Sequence, residues 1–90
     1  MIEVASLPQE NLQTLRDLLD RMSWEYINKP MADERKAVYI AGLLREPDLE
    51  DPRQLFIAIT KIIDTWDGSH FPWIANIRDA MPRREKVYMG

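Results

Sequence analysis

Apolar residues recur every three to four positions in four successive stretches of this chain, and polar residues fill the positions between them. This spacing places the apolar side chains on one face of an α-helix, and no stretch shows the clear alternation of a half-buried strand. The pattern therefore predicts an all-α fold, a compact single-domain bundle of about four helices. The predicted helices span about 7–26, 33–46, 52–66 and 72–81.

Capping residues and prolines predict where the helices begin and end. Ser6 and Gln9 fit a capping box at the start of the first helix, and Asp33 fits an N-cap for the second. Asp51 followed by Pro52 is typical of an N-cap and a first helical residue. The helices are expected to stop near three further prolines, because the residue before a proline disfavours helical geometry: Pro30, Pro47 and Pro82.

The second helix has apolar residues at most of its later positions. Gly42 costs about 1 kcal/mol relative to alanine in a helix interior, so it marks either the close approach of another helix or a weak point. The predicted core stripe consists of Ala37, Ile40, Ala41 and Leu44, flanked by Leu43 and Tyr39.

The third helix carries the longest apolar arc in the chain. Gly68 follows it at a position suited to a left-handed residue that ends a helix, and Pro72 is expected in the first turn of the last helix. The arc of the third helix comprises Leu55, Phe56, Ile59, Ile62, Ile63 and Trp66. The predicted apolar face of the last helix comprises Trp73, Ile77 and Ala80, with Ile74 and Met81 beside them.

Two large apolar residues do not fit these faces. Trp24 falls outside the apolar stripe of the first helix, so it lies either against another element or at the surface. Ile57 falls within the polar arc of the third helix, so it is either covered by the first helix or exposed for a partner. Trp66 and Trp73, in contrast, are expected to face the core.

Composition and charge narrow the class of protein. The chain has 90 residues, 46% of them hydrophobic, and no cysteine, which excludes disulfides and thiolate zinc sites and is compatible with a cytoplasmic location. Residues 1–70 carry eight Lys or Arg and thirteen Asp or Glu, whereas residues 71–90 carry four and two. We therefore predict one helical domain over 1–82 and a basic tail over 83–90, without a membrane-spanning segment.

Few residues of the chain are suited to catalysis. With one histidine, no cysteine and only three glycines, most nucleophilic, metal and phosphate-binding arrangements are missing. His70 is expected in a solvated turn. The acidic residues near 46–51 match no calcium loop and are expected to form a solvated connection. The sequence thus favours a non-enzymatic protein with no cofactor and no metal ion.

The order of features from the second helix onwards resembles the small helical domain of phage replicative-helicase loader/inhibitor proteins, and the resemblance covers about residues 10–81. That family shows an aromatic residue and a leucine four apart, an acidic link, a helix, and a Phe-Pro start to a final helix with Ile and Arg. A tyrosine here replaces the usual tryptophan, and Trp73 replaces a common second proline. The matching segments are Tyr39-Ile40-Ala41-Gly42-Leu43-Leu44 and Phe71-Pro72-Trp73-Ile74-Ala75-Asn76-Ile77-Arg78.

The resemblance implies an accessory protein of phage or prophage DNA replication. Its expected partner is a replicative helicase, with an origin-binding protein or DNA as further partners through the basic tail. Two alternatives stay open: a small nucleic-acid-binding or transcription-regulating domain that uses the basic end, and a self-associating module. Aromatic residues and arginines dominate the energetics of many interfaces, and Ile57 is an apolar residue within a polar arc. The candidate contact residues are therefore Trp24, Ile57, Arg78, Arg83 and Arg84.

Overall fold

The computed structural model describes residues 1–82 and confirms the all-α, single-domain bundle. The predicted tail, 83–90, lies outside the described residues. A short 3₁₀ turn precedes four α-helices, of which the first is the longest, with 19 residues, and the last the shortest, with 7. The 3₁₀ turn is Val4–Ser6, and the helices are α1 (Gln9–Ile27), α2 (Asp33–Leu44), α3 (Arg53–Thr65) and α4 (Ile74–Ala80).

Helix α3 lies at the centre of the bundle. It packs against α1 and against α4, while α2 packs against α4 and the side of α1. Each large apolar side chain buried in this way stabilises the fold by about 1.5–3 kcal/mol. The predicted arc of α3 is confirmed, since its apolar residues are buried or half-buried. The fully buried side chains of α1 and α3 include Leu15, Leu19, Met22, Leu55 and Ile59.

The helix starts differ in part from those predicted. Ser6 is not the N-cap of α1, because it belongs to the 3₁₀ turn, and Pro8 occupies the N-cap position. Asp33 is the first residue of α2 and not its N-cap. The Asp51 carboxylate accepts the backbone N–H of Arg53 at 2.9 Å, but the N-cap position of α3 is occupied by Pro52, one residue later than predicted.

Helix α2 is rotated relative to the predicted stripe. Ala37 and Ala41 are exposed, and the buried face instead contains Tyr39, Ile40, Leu43 and Leu44. The larger side chains of tyrosine and leucine remove more apolar surface from water than alanine does, and this decides the rotation.

Gly42 marks a close approach between two helices. A Cβ atom at this position would lie 3.0 Å from Cδ1 and 3.2 Å from Cγ2 of Ile74 in α4. The first of the two interpretations of this glycine is therefore confirmed, and the missing side chain lets α4 pack onto α2.

Helix α4 starts later than predicted. Pro72 is buried ahead of the helix, and Trp73 occupies the N-cap position with its side chain 59% exposed, so the prediction of a core-facing Trp73 is wrong. The Asn76 side chain fixes this start, since its Oδ1 accepts the Trp73 backbone N–H at 2.8 Å. The rest of the predicted face is confirmed, with Ile77 and Met81 buried.

Within residues 1–82, two residues at turns have positive φ. Asn28, at φ 56°, ends α1, and its N–H donates to the Trp24 carbonyl. Gly68 has φ 78°, as expected from its position. However, α3 already ends at Thr65 with Trp66 as its C-cap, so Gly68 shapes the turn towards α4 and does not cap α3.

Candidate partner-binding surface

Trp24 and Ile57 are large apolar side chains that face solvent. Trp24 is 52% exposed on α1, and Ile57 is 55% exposed on α3. In both cases the structure selects the exposed alternative. Single exposed apolar residues are common in folded proteins, so exposure alone leaves their role as partner contacts a prediction.

Ile57 lies in a shallow, open surface groove on the outer side of α3, formed by residues of this helix alone. Hydroxyl groups and one residue of each charge surround its apolar centre. Neither Trp24 nor Arg78 lines this groove, so the structure does not bring the three described candidates into one cluster. The lining residues are Phe56, Ile57, Thr60, Lys61, Asp64 and Thr65.

Arg78 forms an ion pair inside the protein. Its Nε lies 2.6 Å from Oε2 of Glu46, which is only 6% exposed. The expectation that Glu46 belongs to a solvated acidic connection is therefore wrong, and a positively charged partner explains how a carboxylate is buried. The Arg78 side chain keeps 36% of its surface exposed, and its contact with a partner stays a prediction.

Gln54 links the connection before α3 to the residues after α4. Its Oε1 accepts the backbone N–H groups of Glu50 at 2.7 Å and of Asp51 at 2.9 Å. Its Nε2 donates to the Pro82 carbonyl at 2.9 Å. This side chain therefore ties the Pro82 carbonyl to the connection before α3. Arg83 and Arg84 themselves lie outside the described residues, and their role stays a prediction.

A second exposed apolar surface lies between α2 and α4, and we call it the Val38–Trp73 groove. Val38 is 62% exposed and Trp73 is 59% exposed, and neither was predicted to face solvent as a contact residue. The sequence contains one indication that Trp73 precedes the helix. Asn76 stands three residues after Trp73, and a polar side chain at that position can accept the backbone N–H of the N-cap residue. The groove measures about 510 Å³ and is lined by Ala32, Glu34, Arg35, Val38, Tyr39, Trp73 and Ile74.

His70 lies in an exposed turn, as predicted, and packs on a tryptophan. Trp66 is half-buried against the core, and its indole N–H donates to the His70 carbonyl at 2.6 Å while the two rings meet edge to face. The imidazole lies 3.2 Å from the Ser69 hydroxyl. In the same turn, the Ser69 backbone N–H lowers the pKa of Asp67. These contacts stabilise the turn between α3 and α4.

Two further findings apply to residues 1–82. In this part of the chain, no group of three or more histidine, aspartate or glutamate residues is placed to hold a metal ion. None of the helices described there combines the length and the apolar character that crossing a membrane requires.

The chain was compared with protein families, with curated proteins and with solved structures, and no match was found in any of the three comparisons.

Proposed function

We propose that this protein is a non-enzymatic accessory protein of phage or prophage DNA replication that binds a replicative helicase as a loader and inhibitor. The observation that carries the proposal is the exposure of two large apolar side chains, Trp24 and Ile57, on a helical scaffold. Such side chains are typical anchors of protein interfaces. The identity of the partner rests on the sequence resemblance.

The residues that form the resemblance build the scaffold. Tyr39 is buried, its ring meets Phe71 edge to face at 6.4 Å, and its hydroxyl donates to the Pro72 carbonyl at 2.7 Å. These contacts hold α4 against α2. Trp24 and Ile57, the two contacts on which the proposal rests, lie elsewhere, on α1 and α3. The resemblance therefore supports the fold directly, and it supports the partner only by implication.

Trp24 is the strongest of the proposed contacts. A tryptophan buries about 150–250 Å² when it is fully covered, and half of that surface remains available here. At about 25 cal/mol/Å², covering it adds about 2–3 kcal/mol to the binding free energy, whereas Ile57 adds about 1–2 kcal/mol. A Trp24→Ala variant should therefore bind its partner at least about 30-fold more weakly.

The test is binding to a purified hexameric replicative helicase, measured by size-exclusion chromatography and by titration calorimetry. Trp24→Ala should weaken the complex, whereas Trp73→Ala should leave its affinity unchanged. Trp73 is a matched control, because it is exposed to a similar degree on another face. No complex at micromolar concentrations would refute the proposed partner.

The same preparation distinguishes the nucleic-acid-binding alternative. Contacts with phosphate groups make the affinity for DNA fall steeply as the salt concentration rises. Under this alternative, the chain should bind DNA, and the binding should weaken strongly between low and physiological salt. Replacing Arg83 and Arg84 by alanine should then abolish the salt dependence. Helicase binding with little affinity for DNA would support the proposal, and the reverse result would support the alternative.

A further inference from the structure

Helix α2 presents a charged and apolar stripe to solvent. Three outward residues of α2 and its C-cap residue are spaced by four, three and four positions, which places them on one line along the helix. All four are exposed, and the central pair is apolar while the two ends carry opposite charges. We call Glu34, Val38, Ala41 and Arg45 the outer stripe.

The charges at the ends of the outer stripe have no ion-pair partner among residues 1–82. The cations that do form pairs there are Lys36, Arg53 and Arg78. Glu34 and Arg45 make no such contact, although both lie close to charged neighbours in the sequence. They are therefore available to charges from another molecule.

Exposed apolar side chains flank the outer stripe on both sides. Trp73 lies beside Val38 in the Val38–Trp73 groove. On the opposite side, Met1 and Val4 line the surface next to Ala41 and Arg45, and they are 70% and 51% exposed. A helix that is apolar on nearly all sides is typical of a covered helix, and α2 approaches this condition from Ala37 onwards.

We propose that the outer stripe binds the outer stripe of a second copy of this chain, with the two α2 helices antiparallel about a twofold axis. The pairs Glu34 with Arg45 and Val38 with Ala41 share one midpoint, between positions 39 and 40. An antiparallel pairing at this midpoint therefore places Val38 against Ala41 of the second copy. It also places Glu34 against Arg45 of the second copy, and each contact occurs twice.

Charge decides the direction of the helices and the type of occupant. A parallel pairing would bring Glu34 against Glu34 and Arg45 against Arg45, which is unfavourable. A stripe whose charges complement themselves after a twofold rotation fits a second copy better than a partner of one uniform charge. The contact is small, since α2 is only about 18 Å long, so we expect association in the micromolar range or weaker.

Sedimentation velocity of the full chain tests this proposal. The sedimentation coefficient should rise from monomer to dimer between about 1 µM and about 1 mM, the range in which small interfaces associate. Glu34→Arg should give a monomer, because it faces Arg45 of the second copy. Arg45→Glu should do the same. Glu10→Arg is the matched control, because Glu10 lies at the same position in the first turn of α1.

Mixing the two single variants gives the decisive result. In the mixed dimer every charge pair is again attractive, so equimolar Glu34→Arg and Arg45→Glu should associate although neither does so alone. The double variant should also dimerise. Circular dichroism of each variant checks that it folds. A wild-type chain that stays monomeric throughout, or variants that fail to associate on mixing, would overturn the proposal. This outcome does not depend on helicase binding, which is measured separately.

Discussion

Tyr39→Phe removes one oxygen atom from a buried position and tests how α4 is held against α2. The Tyr39 side chain is 4% exposed, and its hydroxyl donates to the Pro72 carbonyl at 2.7 Å. That carbonyl has no other hydrogen-bond donor among the residues described. The substitution therefore leaves a buried acceptor unsatisfied, which costs about 1–3 kcal/mol. We expect a loss of about 2 kcal/mol, a large part of the stability of a small domain.

Urea unfolding followed by circular dichroism at pH 7 measures this loss. Tyr26→Phe is the matched control, because the Tyr26 hydroxyl also donates to a backbone carbonyl, that of Ile62, at 2.7 Å. The Ile62 carbonyl keeps a second donor, the N–H of Trp66 at 3.0 Å, so this variant should lose only about 0.5–1 kcal/mol. Equal losses in the two variants would refute the assignment of the cost to an unsatisfied Pro72 carbonyl.

The same hydroxyl predicts a dependence on alkaline pH. Burial raises the pKa of Tyr39 above its ordinary value of 10.0. The folded state therefore favours the protonated form, and its contribution is complete below pH 10.0 and is lost as the pH rises through the folded pKa. The free energy of unfolding should fall above this pH, and it should fall less in Tyr39→Phe. An identical alkaline profile in the two proteins would contradict this expectation.

Two further predictions concern helix packing and helix capping. Gly42→Leu should destabilise the fold by about 1–3 kcal/mol, because the new leucine side chain would clash with Ile74. In Gly42→Ala, the gain in helix propensity should offset most of the strain. Urea unfolding of both variants measures the two effects. Hydrogen bonds from Arg53 lower the pKa of Asp51 from its ordinary 3.8, so the carboxylate stabilises the fold above that pH and less as the pH falls. Asp51→Asn should flatten this acid dependence, which urea unfolding at pH 7 and at about pH 3 measures. An acid dependence equal to that of the wild type would contradict this role of Asp51.

The sequence predicted α3 better than α2, and the reason lies in their patterns. The apolar residues of α3 occupy one broad arc, so only one orientation buries them. In α2, apolar residues occupy nearly every position from Ala37 to Leu44, and periodicity alone does not select the buried side. The choice depends on the larger area of Tyr39 and Leu43 and on the hydrogen bond to Pro72, which comes from another element.

The candidate contact residues were predictable where a local rule applied. The helical positions of Trp24 and Ile57 limited each of them to two alternatives, of which the structure selects exposure. Glu46 could not be placed in this way, since its burial depends on Arg78, which is 32 positions away in the chain. Trp73 was misplaced because a difference of two residues in the start of α4 moves a side chain from the buried face to solvent.

The shortness of α4 has a consequence for the rates of folding. An isolated helix of fewer than about 12 residues is marginal in water, so the seven residues of α4 depend on the surface that α2 and α3 supply. We therefore expect α4 to form late, after the transition state for folding, and the Ile77 side chain to become buried only at that stage. Stabilising substitutions in α4 would then slow unfolding and prolong the lifetime of the native protein, while the rate at which it folds would change little.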